Sequence, residues 1–199
     1  MRRLQHLTSV AICIGLFACS EAATPVQQAA KQVGGARTDA PGANETQPAT
    51  SRTASLPTLD KSRLKVQDGD TLYHGSERIR LLGMDAPEAE SPYHRGSQQP
   101  HADQATALVQ RLVDEASVVT IARHADKDKY GRTLAYCFVD GSNISAAVVA
   151  AGLAYENVGY YGPQGFDDYA AEVTRAAKTV PTPVFEPPHK FRKRNRKQK

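Results

Sequence analysis

Residues 80–88 read RLLGMDAPE, Arg80-Leu81-Leu82-Gly83-Met84-Asp85-Ala86-Pro87-Glu88. The apolar residues suit a core strand, yet three charged side chains interrupt them. Side chains alternate along a strand, so Arg80, Leu82 and Met84 would share one face while Leu81, Gly83 and Asp85 share the other. Arg80 and Asp85 therefore cannot converge from a regular strand. Gly83 is the point where regularity can fail, through a bulge or a bend. Pro87 holds Ala86 extended, removes a backbone donor and turns the chain toward Glu88. Taken alone, the stretch is a strand end followed by a turn.

Working outward, short strand patterns occupy residues 63–66, 71–74 and 78–82, joined by turn chemistry at Asp68-Gly69-Asp70 and His74-Gly75-Ser76. Ala105, Leu108, Val109, Leu112 and Val113 fall at helical spacing and predict an amphipathic helix over 102–115. A β-branched strand follows at 118–122. The turn Asp128-Lys129-Tyr130-Gly131-Arg132 leads into a strand at 133–139, which ends at Asp140-Gly141. Ser142 or Asn143 can cap a helix running to Ala151, with Gly152 ending it. A last helix is expected at 167–178, stopped by Pro181 and Pro183. Five short strands with a helix after the third make an α+β domain. Its expected form is a five-stranded barrel of the oligonucleotide-binding type with about three helices.

The flanks differ from this unit. Residues 1–19 carry Arg2 and Arg3 ahead of an apolar run from Leu7 to Ala18, too short to span a bilayer, and read as an export signal. The run closes as Leu16-Phe17-Ala18-Cys19, which resembles a bacterial lipobox with a lipid-bearing Cys19. Ordinary signal cleavage near Ala18 to Ala23 is the alternative. Residues 20–56 are rich in small and polar types without apolar periodicity and predict a disordered tether. Exported protein is expected, either an envelope lipoprotein or secreted. Cys137 lies in an apolar run and reads as a buried hydrophobe. Residues 57–189 hold thirteen Lys or Arg against eighteen Asp or Glu, a net of −5, whereas residues 190–199 carry seven positive charges and no acid. The segment 181–199 is expected to be a Pro-containing linker and a disordered basic tail. That tail is either solvated or available to nucleic acid or anionic lipid.

Asp68-Gly69-Asp70-Thr71 and Asp128 to Arg132 are, singly, ordinary charged turns. Together with residues 80–88, the run Leu134-Ala135-Tyr136, Asp140-Gly141 and Ala151-Gly152-Leu153-Ala154, they occur in an order and spacing that resembles the staphylococcal-type nuclease family from about residue 61 to 178. The resemblance implies a barrel domain at 57–180 and calcium-dependent hydrolysis of DNA and RNA phosphodiesters to 3′-phosphate products. It assigns Asp70 and Asp85 as calcium-binding carboxylates, with Ala86 offering a backbone carbonyl. Arg80 and Arg132 become the phosphate-binding arginines, and Glu88 the acid beside the attacking water. Tyr155, Tyr160 and Tyr161 compete to stack on the substrate, with Tyr130 a further candidate. The chemistry of the residues agrees: a hard dication takes oxygen donors, and arginine's planar fork grips two phosphate oxygens. A monomer is expected. The alternative is a catalytically silent nucleic-acid-binding module on the envelope. All five charged site residues are present, which favours the enzyme.

Overall fold

The computed structural model of the chain describes residues 55–197. The expected signal, Cys19 and the tether up to residue 54 lie outside the described residues. Five strands form the main path of a mixed sheet: β1 (Leu64–Asp68), β2 (Thr71–His74), β3 (Glu77–Leu81), β5 (Val119–Lys127) and β6 (Thr133–Val139). Two-residue strands β4 (Met84–Asp85) and β8 (Tyr155–Glu156) pair separately, and β7 (Ser142–Asn143) adds to β6. The helices are α1 (His101–Glu115), α2 (Ile144–Ala150), α3 (Val158–Tyr161), α4 (Asp167–Lys178) and α5 (Pro188–Asn195).

The sheet order is β1-β2-β3-β6-β5, antiparallel except where β3 runs parallel to β6. Residues before β1 cover the open edge of β5: the Leu59 amide donates to the Val119 carbonyl at 2.8 Å, and the Ile121 amide to the Pro57 carbonyl at 3.0 Å. The sheet is thereby a curled, partly open barrel, the oligonucleotide-binding-type α+β architecture that the strand pattern predicts. Its core gathers Leu72, Ile79, Leu81, Met84, Val119, Ile121, Tyr136 and Phe138, with Ala105, Val109 and Val113 contributed by α1. Gly69 lets α1 approach, since a Cβ there would sit 2.8 Å from the β-carbons of both Ala105 and Ala86. Close packing, rather than a left-handed turn, is what that glycine serves.

Asn143 caps α2, its side-chain oxygen accepting from the Ser145 amide at 3.0 Å. The α4 limits coincide with the pattern read at 167–178. Cys137 is buried without a disulfide, and burial pushes its thiol up to about 12, as an inert hydrophobe requires. No helix among the described residues is long and apolar enough to cross a membrane.

Two differences from expectation bear on the site. Among the described residues five α-helices occur where about three were expected, because α3 and α5 are short and lie in segments without apolar periodicity. The described part of the segment 181–199, expected to be linker and disordered tail, contains α5 and is docked. Pro188 starts the helix, and Pro188 and Phe191 are buried beneath its charged residues. Two apolar anchors thus hold a segment whose composition is otherwise that of a solvated tail.

Candidate active site

The break at Gly83 builds the site. Ile79 and Leu81 of β3 point into the core while Arg80 lies between them on the other face. Gly83 takes φ +82, and its carbonyl accepts the Asn157 amide at 3.0 Å. The chain then resumes as β4, with the alternation reset. As a result, the Arg80 Nη2 donates both to the Met84 carbonyl at 3.2 Å and to Asp85 Oδ1 at 3.1 Å. The expected failure of strand regularity at Gly83 is therefore what brings two residues of opposite parity together.

Asp70 enters from the turn before β2. Thr71 pairs with Arg80 across the sheet, and the Leu81 amide donates to the Asp70 carbonyl at 2.9 Å, so Asp70 lies beside Arg80. Its Oδ2 ion-pairs with Arg80 Nη1 and accepts the Ala86 amide at 3.2 Å, while Oδ1 accepts the Thr71 hydroxyl at 3.1 Å. Asp70 and Asp85 are only 7% and 6% exposed, so unpaired they would carry a large desolvation penalty. Burial lowers the pKa of the Arg80 guanidinium. Asp85 opposes that shift, and the nearby positive charges of Arg132 and Arg192 add to it. Asp68, whose carboxylate accepts the Asp70 amide at 3.1 Å, is pushed up by burial and held back by Arg80.

Glu88 sits just past Pro87. Its amide donates to Gln98 Oε1 at 3.0 Å and its carbonyl accepts the Gln98 amide at 2.7 Å, which pinches the loop 88–98 shut. Its carboxylate is held on both oxygens: Oε2 lies 3.0 Å from His94 Nε2, and Oε1 pairs with Arg192 Nη1. His94 is buried and its Nδ1 lies 3.1 Å from the Gly96 carbonyl. A carbonyl only accepts, so Nδ1 is the donor of that bond. The Nε2 contact then needs one more proton, on His94 or on Glu88.

Asp70, Arg80, Asp85 and Glu88 are thus brought into one connected cluster. Arg132 is not bonded to it. Asp128 holds Arg132, accepting its Nε at 2.7 Å and its amide at 2.9 Å. The Asp128 carboxyl stays below its ordinary value despite burial, through hydrogen bonds from Arg132 and Tyr130. Tyr130 is exposed beneath the Arg132 guanidinium, whose carbon lies 5.5 Å from the ring centroid. Tyr160 and Tyr161 are exposed and meet edge to face at 4.7 Å on α3. Tyr155 is committed elsewhere, its hydroxyl donating to the Phe185 carbonyl at 2.7 Å and the Pro183 carbonyl at 3.1 Å.

Sequence reasoning missed His94, Gln98 and Arg192. Nothing in the loop 88–98 marks His94 or Gln98. Arg192 has one signal, the apolar Phe191 beside it in a run of charges.

Among the described residues, no three or more His, Cys, Asp or Glu side chains gather as a ready-made metal cage. Calcium would need less, namely Asp70, Asp85 and the Ala86 carbonyl, with water and substrate oxygens completing its shell. The donor chemistry fits. The two buried carboxylates already draw in the guanidinium groups of Arg80 and Arg192, so the cluster attracts positive charge.

A partly open oligonucleotide-binding-type barrel carrying a buried carboxylate and arginine cluster at a strand break is the class that fold and site define. Residues 78–180 match the family model described as staphylococcal nuclease homologue, and the chain belongs to that family. It is 34% identical over 102 residues to the SPbeta prophage-derived endonuclease YokF of Bacillus subtilis, covering 49% of this chain and 32% of that protein. With endonuclease YncB of the same organism it shares 35% over 92 residues, 44% of this chain and 43% of the relative. With the thermonuclease of Staphylococcus intermedius it shares 31% over 118 residues, 57% of this chain and 67% of the relative. The chain therefore spans less than half the length of the two Bacillus endonucleases. Arg192 lies beyond the family-matched stretch.

Proposed function

We infer that the chain is a nuclease that hydrolyses phosphodiester bonds of DNA and RNA, leaving 3′-phosphate ends, with calcium as its cofactor. The observation that carries this reading is the convergence of Asp70, Arg80, Asp85 and Glu88 at the Gly83 break, in a chain of the staphylococcal nuclease family. Asp70, Asp85 and the Ala86 carbonyl would hold the calcium ion, which when bound polarises the phosphoryl group and offsets its developing charge. Arg80, aimed by Asp70 and Asp85, supplies a fork to the phosphate oxygens, and Arg132 brings a second from the rim. Glu88 accepts the proton of the water attacking in line with the leaving oxygen. Tyr130, Tyr160 and Tyr161 offer exposed rings on which bases could stack. The exposed lysines and arginines of α5 offset the acidic head and recruit the polyanion. The reading includes export, with Cys19 as the lipid anchor on the envelope and a monomeric head.

One observation favours a catalytically silent binding module instead: Arg192 covers Asp85 and Glu88. The deciding experiment incubates the purified protein with single-stranded DNA, double-stranded DNA and RNA, first with calcium and then with a chelator. Calcium-dependent cleavage is expected. Cleavage that survives the chelator removes the metal assignment, and binding without cleavage supports the silent module.

A further inference from the structure

Arg192 is not a loose surface charge that has fallen against an acid. Its helix is fastened on both sides. Upstream, Gln98 Nε2 donates to the Glu186 carbonyl at 2.6 Å, and Phe185 packs edge-on against Tyr155 at 5.3 Å. Downstream, the Arg95 amide donates to the Asn195 carbonyl at 2.9 Å and the Lys197 amide to the Tyr93 carbonyl at 3.2 Å. Between them, buried Phe191 meets the His94 ring edge to face at 5.5 Å. Apart from His101 of α1, whose ring also packs on Phe185, these partners lie on the loop that follows Glu88 or on the strand that pairs with β4. The helix is therefore docked onto the walls of the site.

From this seat the guanidinium grips Asp85 with both arms, Nη1 to Oδ1 at 3.0 Å and Nη2 to Oδ2 at 3.1 Å, and Nη1 also pairs with Glu88 Oε1. Burial alone would lower the Arg192 pKa, but Asp85 and Glu88 outweigh it and raise it above its ordinary value. A fork laid along one edge of a carboxylate occupies the lone pairs by which that edge would ligate a metal. A dication at Asp85 would also face a like charge at close range.

We propose that Arg192 is a working residue of this site, an internal cation that holds Asp85 and Glu88 until a calcium ion displaces it. Calcium binding and docking of α5 then oppose each other, and the opposition is reciprocal: the tail weakens the metal, and the metal loosens the tail. The same exchange frees Glu88 Oε1, which Arg192 covers, for its water. The inference rests on the calcium reading above and deepens it, since it names the group with which the ion competes.

Calorimetric titration of calcium alone into the full chain and into Arg192→Gln tests it, with thermal unfolding to verify that the variant is folded. The variant is expected to bind calcium at least threefold more tightly. A smaller gain, or weaker binding, overturns the exchange while leaving the calcium site in place. Binding by neither protein overturns the calcium site and the exchange together. Hydrogen exchange on the unsubstituted chain tests the same point without a variant. Calcium should speed exchange of the Arg95, Phe191 and Lys197 amides, and unchanged protection at calcium saturation overturns the proposal.

Discussion

A β-carbon added to Gly83 would lie 2.7 Å from the Tyr136 hydroxyl and 3.1 Å from Val173 Cγ2. Gly83 is thus the residue on which two demands meet: a left-handed backbone that resets the strand alternation, and close packing against β6 and α4. Gly83→Ala should destabilise the fold by roughly 2–4 kcal/mol, combining left-handed strain with overlap against two buried neighbours. Equilibrium urea unfolding measures the loss. Activity should fall further than the folded fraction explains, because the reset sets where Asp85 stands relative to Arg80.

Much of this was legible from spacing. Glycine and proline within an apolar strand imposed a break, and a break was the only way for Arg80 and Asp85 to meet. Ser142 or Asn143 marked the start of α2 by a side chain able to accept its first free amides, and Gly152 marked its end by its backbone freedom; the structure uses Asn143. The rest was hidden for physical reasons. His94 and Gln98 act through contacts across a loop with no period, and their partners become neighbours only once that loop is pinched. Arg192 was counted as one of seven equivalent charges. Only the helical phase of α5, with Pro188 and Phe191 facing inward, separates it from Lys190 and Lys193. Tyr155 had the composition of a stacking residue, but its hydroxyl and ring are turned to the segment at 183–185, which local sequence could not reveal.

Glu88→Gln preserves the shape of the side chain and one acceptor for the loop, so the fold should be intact by thermal unfolding. Its proton-accepting capacity is lost. Turnover at saturating calcium should drop roughly 10²- to 10⁴-fold, the usual worth of a positioned base. Full turnover in this variant would remove Glu88 from the chemistry and leave it a structural partner of His94 and Arg192.

Acid should loosen the barrel through Glu77. Hydrogen bonds from Arg123 at 2.9 and 2.8 Å, and from the Thr133 hydroxyl at 3.0 Å, hold its carboxyl below the ordinary value of 4.5 against the opposing effect of burial. The folded state binds that proton less readily than the unfolded chain, so stability rises with pH across the window between the two pKa values. The contribution is fully present above pH 4.5 and is lost as pH falls through the depressed folded value. Glu77→Gln should flatten the acid limb of a stability profile below that pH while lowering stability at neutrality.

Asn143 joins three elements. Its oxygen caps α2, while its Nδ2 donates to the Tyr169 carbonyl at 3.2 Å and to Glu172 Oε2 at 3.1 Å on α4. Asn143→Ala should cost about 1–2 kcal/mol from the cap alone, with a further loss from the two half-buried hydrogen bonds to α4 that the side chain donates. Asn143→Asp keeps the cap but places a carboxylate against Glu172. It should recover part of the loss at low pH and less of it at neutrality. Urea midpoints at two pH values separate these contributions.

The outward face of α5 gives a test of recruitment that leaves Arg192 untouched. Lys190 and Lys193 are exposed and pair with no acid among the described residues, whereas Arg194 pairs with Glu186 at 2.7 Å and Arg192 faces the site. If these lysines meet the polyanion, each neutralised phosphate releases counterions, and binding weakens with salt in proportion to their number. Replacing both by Gln should raise KM and reduce the magnitude of the salt slope by about 1.5, with kcat unchanged, because neither residue reaches Asp85 or Glu88. An unaltered slope would mean that this ridge of charge serves something other than the substrate, and anionic vesicles added to the same pair of proteins would test lipid as the alternative.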